Sequence, residues 1–140
     1  MKLVFVDTGA WLALLDQDDS LHAQARIHYR ELIADGSGLV TTNYVVAETA
    51  TRLRYDVGLR AALAFRERLK RLEDGGQGRV VWIDERSEDE GWRVMEQYAD
   101  MRLSLTDATS AVVARANRIS DVFGFDAHFY ALGFVVAPVV

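Results

Sequence analysis

Short runs of apolar residues alternate with longer segments of mixed polarity along the chain, and this alternation predicts strands separated by helices. The first run is β-branched and apolar and is ended by Asp-Thr-Gly, as expected of a buried strand. The apolar runs predict four strands and a possible fifth at the edge of the sheet, at residues 2–6, 39–42, 79–83, 122–125 and 134–136.

The segments between these strands have apolar residues at helical spacing and carry helix-boundary residues. Asn43 and Thr106 are good N-caps, and Gly58 lies just beyond a helix end. The predicted helices are 11–15, 20–34, 43–57, 59–72, a segment containing Trp92, Met95 and Tyr98, 106–117 and 127–132. Strands that alternate with helices form a parallel sheet covered on both faces, so we predict one α/β domain over residues 1–140.

Composition narrows the possible chemistry. The 140 residues include 16 basic and 21 acidic side chains, for a net charge of −5, and no cysteine. A disulfide scaffold, a thiolate nucleophile and cysteine-containing zinc sites are therefore excluded. The acidic balance at first argues against nucleic acid. The sequence shows no signal peptide and no apolar stretch near the roughly 20 residues of a membrane span, so we expect a soluble cytoplasmic protein.

Four acids occupy positions that suggest a functional site. Asp7 and Asp126 each follow an apolar strand, at the end where open α/β sheets bind ligands. Asp107 lies in the first turn of a predicted helix, and Glu48 lies one turn into another. Taken singly, each has a structural explanation, as a helix cap, a partner of the helix dipole or a solvated side chain.

Taken together, the acids favour a metal site. Carboxylates that converge without basic partners repel one another, and the only lysines are Lys2 and Lys70. A hard divalent cation such as Mg²⁺ or Mn²⁺ is what neutralises an all-oxygen cluster. Such ions activate water and stabilise charge on a phosphodiester, so phosphodiester cleavage is the predicted chemistry.

Four motifs carry these acids: VDTGAW at 6–11, Thr42-Asn43 with Glu48, LSLTDA at 103–108, and FGFDAHF at 123–129 followed by Gly133-Phe134. In order and approximate spacing they resemble the PIN-domain ribonucleases, particularly the VapC-type toxins of prokaryotic toxin–antitoxin pairs. The resemblance runs from about residue 2 to 136. It departs at two places, because relatives often have a hydroxyl residue where this chain has Gly124 and a basic residue where it has Ala127.

The resemblance implies a three-layer α/β/α PIN-like domain with a central, mainly parallel sheet of four to five strands. It implies an endoribonuclease in which Asp7, Glu48, Asp107 and Asp126 are the catalytic and metal-binding residues, with Mg²⁺ as cofactor and Mn²⁺ able to substitute. Thr8 corresponds to the small hydroxyl residue beside the first acid and is expected to bind the substrate. The implied partners are RNA, a VapB-type antitoxin and a second copy of the chain, with no membrane.

Alternatives remain at this stage. Phosphoaspartyl transfer needs a second aspartate at position 9 and a supporting lysine, and the sequence has Gly9 and no suitable lysine. A PIN-like RNA-binding or housekeeping RNA-processing module without a toxin role is the remaining alternative. The four acids belong to the predicted site, so the negative charge does not exclude RNA and instead predicts metal-dependent RNA binding.

Basic residues concentrate between positions 52 and 71, where seven face only two acids. Arg52 lies one helical turn after Glu48, so we predict that it binds RNA phosphate beside the metal. His128, two residues after Asp126, could contact substrate, but a surface role is the expectation. A solvated helix face is the expectation for the basic residues later in the segment, Arg66, Arg68 and Lys70.

Overall fold

The computed structural model describes residues 1–140 and contains one sheet of five parallel strands. The strands are β1 (Leu3–Val6), β2 (Gly38–Thr42), β3 (Gly78–Val81), β4 (Asp121–Phe123) and β5 (Val135–Ala137), in the order β3-β2-β1-β4-β5. All five predicted strands are confirmed, and the sheet is entirely rather than mainly parallel.

Seven α-helices connect and cover the strands. They are α1 (Thr8–Leu15), α2 (His22–Ala34), α3 (Asn43–Asp56), α4 (Leu59–Asp74), α5 (Glu85–Gln97), α6 (Leu105–Ala116) and α7 (Ala127–Ala131), with a short 3₁₀ turn at Ala99–Met101. From β1 the chain moves to β2 and β3, and it then crosses to the other side of β1 for β4 and β5. Because parallel crossovers are right-handed, α1–α4 cover one face and α5–α7 the other, which confirms the α/β/α fold.

The core lies between the sheet and both helical layers. Phe5, Val6 and Val122 are completely buried in neighbouring strands, as expected for a parallel sheet covered on both sides. Trp11 of α1 packs on Phe65 of α4, with 5.3 Å between ring centroids. No helix of the structure combines the length and the apolar character needed to cross a membrane.

Two predicted helix caps are wrong by one or two residues. Thr42, still in extended conformation at the end of β2, caps α3, and its Oγ1 accepts a hydrogen bond from the backbone N–H of Val45. Asn43 is already helical, and its Oδ1 instead accepts from the N–H of Ile83, which ties α3 to the end of β3. Ser104, not Thr106, caps α6, because the backbone of Ser104 is still extended and its side chain accepts a hydrogen bond from the N–H of Asp107.

The contact between α5 and α6 depends on Gly91. A Cβ added at this position would lie 2.6 Å from Cγ2 of Thr109 on α6. Glycine normally weakens a helix interior by about 1 kcal/mol relative to alanine, so Gly91→Ala would stabilise the protein if nothing opposed it. We expect the opposite sign, a loss of about 1–2 kcal/mol, because overpacking outweighs helix propensity.

Urea unfolding of Gly91→Ala measures this effect. Glu96→Ala, at an exposed position of the same helix, is the matched control and should change the free energy of unfolding little. A Gly91→Ala protein more stable than wild type would show that α5 and α6 are less closely packed than the structure indicates.

Candidate metal centre

The candidate site lies where the order of the strands reverses, at the carboxyl ends of β1 and β4. These strands are neighbours, and Val6 is paired with Phe123. Asp7 follows β1 directly, and its backbone N–H donates to the carbonyl of Phe123 at 3.0 Å. Ligands bind at such switch points in open α/β sheets. The fold therefore brings Asp7 next to the segment that leads to Asp126.

Gly124 permits this close approach. A Cβ built at Gly124 would lie 3.2 Å from Cβ of Asp7, closer than nearly all such contacts. A larger side chain at this position would have to displace Asp7 by a few tenths of an ångström.

Asp7 is the most deeply buried of the four acids, with 4% of its surface exposed. Although it stands at the N-cap position of α1, its side chain makes no capping hydrogen bond, so the structural explanation for this acid fails. Burial is the main reason that its pKa is raised to about 7. The neighbouring Thr8 N–H opposes this rise, and the charges of Asp107, Asp126 and Glu48 add to it.

Glu48 reaches the site from α3. Burial raises its pKa, Arg52 opposes the rise, and the charge of Asp107 adds to it. Nη1 of Arg52 is 3.9 Å from Oε1 of Glu48, so the two residues share a helix face as predicted. About half of the Arg52 side chain remains exposed, which leaves it accessible to a substrate.

Asp107 and Asp126 combine a structural role with a place in the site. Oδ2 of Asp107 accepts from the N–H of Ser104 at 3.1 Å, completing a capping box at the start of α6. Oδ1 of Asp126 accepts from the N–H of His128 at 2.8 Å and caps α7. Each cap uses one carboxylate oxygen. The other oxygen of each residue makes no hydrogen bond within the chain, so it is available to a ligand.

His128 belongs to this cluster, although about a third of its side chain is exposed. Its Nδ1 lies 3.3 Å from Oδ1 of Asp126 and 3.7 Å from Oδ2 of Asp107. One potential ligand atom from each of these three residues lies within 4.8 Å of the other two. The sequence could have indicated this place beside the acids, because His128 comes two residues after a strand-end aspartate and lies in the first turn of a helix.

Two buried polar atoms at the site have no hydrogen-bond partner. They are Oγ1 of Thr8 and Nδ1 of His128. The Thr8 hydroxyl lies near enough to Glu48 to oppose the rise of its pKa, although it forms no hydrogen bond of ordinary geometry. Carboxylates, an unpartnered hydroxyl and an imidazole nitrogen are a donor set that suits a divalent cation. Apart from His128, Arg52 is the only basic side chain within ion-pair distance of any of these acids.

This fold and this arrangement of acids define the class of protein. Residues 4–135 match the PIN domain, and the chain belongs to the PIN-domain family. It is 33% identical over 134 residues to VapC20 of Mycobacterium tuberculosis, a 23S rRNA-specific endonuclease, over 95% of this chain and 96% of the relative. It is 30% identical over 131 residues to the ribonuclease VapC26 of the same organism, over 92% and 91%.

The three-dimensional similarity agrees with the sequence. The crystal structure of M. tuberculosis VapC20, described as a sarcin–ricin loop cleaving toxin, superposes with a TM-score of 0.81 at 32% identity. The superposition covers 94% of this chain and 96% of that chain. The resemblance seen in the four motifs is therefore confirmed at the level of the family.

Proposed function

We propose that the chain is an Mg²⁺- or Mn²⁺-dependent endoribonuclease and the toxin of a toxin–antitoxin pair. The observation that carries the proposal is the convergence of Asp7, Glu48, Asp107 and Asp126 at the carboxyl edge of β1 and β4. Burial, together with the neighbouring negative charges, raises the pKa of Asp7 and of Glu48, and a purely structural role does not explain this placement of the two acids. The nuclease relatives at 33% and 30% identity support the same activity.

The residues fit the cation that such chemistry needs. Asp7, Asp107 and Asp126 would hold it, with Glu48 completing the ligand set on the α3 side. When bound, the cation supplies Lewis-acid stabilisation of negative charge on the phosphate and lowers the pKa of water. Asp7, with a pKa of about 7, loses its proton more readily once a positive charge is near.

The protein groups around the acids have separate roles in this proposal. The exposed part of the Arg52 guanidinium binds a non-bridging phosphate oxygen and thereby orients the RNA. The Thr8 hydroxyl, buried and without a partner, donates a hydrogen bond to a phosphate oxygen or a water at the same spot. Neither group transfers a proton in the reaction.

The partners follow from the family. VapC20 is described as a toxin, which supports a VapB-type antitoxin that neutralises this chain. A homodimer is supported by apolar side chains left exposed at the end of α3 and the start of α4, Tyr55, Leu59 and Leu63. A single PIN domain over residues 1–140 and a cytoplasmic location belong to the same proposal. An RNA-processing enzyme without a toxin role is the alternative.

The decisive experiment is RNA cleavage by the purified chain with Mg²⁺, with Mn²⁺ and with a chelator. We expect internal cleavage that requires the cation, and 23S rRNA is the first substrate to test because of the relative VapC20. Cleavage that survives chelation would contradict the metal mechanism, and failure to cut any RNA would contradict the nuclease. Growth arrest on expression, relieved by co-expression of any small antitoxin-like gene found directly upstream, separates a toxin from a housekeeping enzyme.

His128 gives a prediction that does not depend on activity. If its Nδ1 joins the carboxylates around the ion, Mn²⁺ bound to the protein should couple magnetically to a nitrogen nucleus. Electron spin-echo envelope modulation of the Mn²⁺ complex detects this coupling directly. We also expect His128→Gln to weaken the binding of Mn²⁺ more than the binding of Mg²⁺, because imidazole is a better ligand for the softer ion.

His22→Gln is the control for this experiment. His22 lies outside the acidic cluster, and its Nδ1 is 2.7 Å from the carbonyl of Ala13. The nitrogen coupling should persist in His22→Gln and vanish in His128→Gln. A wild-type spectrum without nitrogen coupling would show that His128 orients the carboxylates without touching the ion.

A further inference from the structure

A second polar cavity lies outside the acidic cluster, between α1, α2 and α4. It has a volume of about 470 Å³ and is lined by Arg26 and Arg30 of α2 and Arg68 of α4. Leu14 and Leu15, the last residues of α1, form part of its wall. Neither aspartate nor glutamate lines it. We call this feature the arginine cleft.

The three arginines are not neutralised by the protein. None of them takes part in an ion pair, although the chain has more acids than bases. Arg26 and Arg30 are four residues apart and therefore share one side of α2. Together with Arg68 of α4, they line the same cavity. Three positive charges held close together without counterions favour binding of an anion.

Arg68 is pre-positioned, and its expected place on a solvated helix face is wrong. Its guanidinium lies over the ring of Tyr29, 5.1 Å from the centroid, and the residue is half-buried. Burial raises the pKa of Tyr29, and the positive charges of Arg68 and Arg71 oppose the rise. Arg66 and Lys70, by contrast, are exposed as expected.

We propose that the arginine cleft binds phosphate groups of the RNA strand on one side of the bond that is cut. Guanidinium groups bind phosphate through paired hydrogen bonds, and a half-buried, stacked guanidinium loses less freedom on binding. A nuclease with a net charge of −5 and four carboxylates at its centre needs positive surface elsewhere to hold a polyanion. The cleft provides it.

Helix α1 connects the cleft to the acidic cluster, which favours RNA over an acidic peptide. Thr8, its first residue, lies in the cluster, and Leu15, its last, lies in the cleft. An eight-residue helix is about 12 Å long, so the two sites are only a few nucleotides apart along a strand. One RNA chain can therefore occupy both. This inference rests on the proposed ribonuclease function.

Fluorescence anisotropy of a labelled single-stranded RNA tests the proposal. The variants are made in an Asp126→Asn background so that the probe stays intact. Arg26→Ala/Arg30→Ala/Arg68→Ala should bind RNA about tenfold more weakly at low salt. The slope of log K against log salt should fall by roughly 2, because each phosphate contact on a single strand contributes about 0.7.

Two further variants keep the result interpretable. Arg79→Ala/Arg86→Ala/Arg93→Ala removes the same charge from exposed positions outside the cleft, and its slope should stay near that of wild type. Arg26→Ala/Arg30→Ala leaves the packing of Arg68 on Tyr29 intact, so it should fold normally and still lose roughly 1.4 of the slope. An unchanged slope in both cleft variants, or an equal loss in the control, overturns the proposal.

Binding of a poly-glutamate peptide tests whether the ligand of the cleft is RNA or an acidic peptide. If the cleft variants keep their affinity for RNA and lose their affinity for the peptide, the cleft binds a peptide and the proposal is wrong.

Cleavage assays distinguish a failure of this proposal from a failure of the proposed nuclease function. In chains with wild-type Asp126, the cleft variants should raise KM and leave kcat nearly unchanged. Binding through the cleft without any cleavage would contradict the nuclease alone.

Discussion

Asp126→Asn is expected to lower the rate of RNA cleavage by about a thousandfold while leaving the fold intact. The reason is electrostatic: the substitution removes one negative charge from the donor set of the cation, which supplies several kcal/mol of transition-state stabilisation. The fold should survive because asparagine caps helices as well as aspartate does. Its side-chain oxygen can still accept the hydrogen bond from the N–H of His128.

The chain offers a matched control at the start of β4, the strand that leads to Asp126. Asp121 begins β4 at the opposite edge of the sheet, where Oδ1 lies 3.5 Å from Nζ of Lys2. Asp121→Asn removes the same charge as Asp126→Asn but outside the site, and it should cleave RNA at close to the wild-type rate. Single-turnover cleavage at saturating Mg²⁺ and the melting temperatures of the three proteins are the measurements. If Asp126→Asn were as active as Asp121→Asn, Asp126 would not belong to the catalytic site.

The sheet could be predicted from sequence because each strand is short, apolar and bounded by turn residues. Even the possible edge strand at 134–136 exists, shifted by one residue to Val135–Ala137. Helix starts were harder to place. Thr42 and Asn43 are both good caps by residue type, and only the extended backbone of Thr42 decides between them. The competing use of Asn43, a hydrogen bond from the N–H of Ile83 in the segment after β3, is a tertiary contact.

The same distinction explains the site. The strand-end position of Asp7 and Asp126 is a local pattern, so their convergence follows from the order of strands. The environments of His128 and Arg68 depend on residues of other elements that contact them. His128 meets Asp107, which belongs to an element more than a dozen residues earlier, and Arg68 stacks on Tyr29 of a different helix. The spacing between Asp126 and His128 is visible in the sequence, but no spacing encodes the contact of His128 with Asp107 or the stacking of Arg68 on Tyr29.

Asp7→Asn is expected to stabilise the metal-free protein strongly above pH 7. The pKa of Asp7 is raised from 3.8 to about 7 in the folded state, so the folded protein binds a proton that the unfolded chain has released. The stability due to this proton is fully present below about pH 4. It is lost as the pH rises towards 7. Glu48, whose pKa is also raised, acts in the same direction.

The size of the effect follows from the shift. About three pKa units correspond to about 4 kcal/mol as an upper bound, since one unit is 1.36 kcal/mol. Asparagine has the same shape and no charge to bury, so the variant should equal wild type near pH 4 and exceed it near pH 8. Urea unfolding with a chelator across this range gives both curves. An identical pH dependence in the two proteins would show that Asp7 is not the group that titrates.

Adding Mg²⁺ should offset the stability advantage of Asp7→Asn. The cation binds the folded wild-type protein, and at a thousand times its Kd it adds about 4.1 kcal/mol. Asp7→Asn lacks the deepest carboxylate, so it should gain much less. The exposed Asp100→Asn should follow wild type with and without the cation. The acid that destabilises the metal-free protein would then be the one that makes the metal-bound protein stable, and this links the cost of burying Asp7 to the binding of the cation.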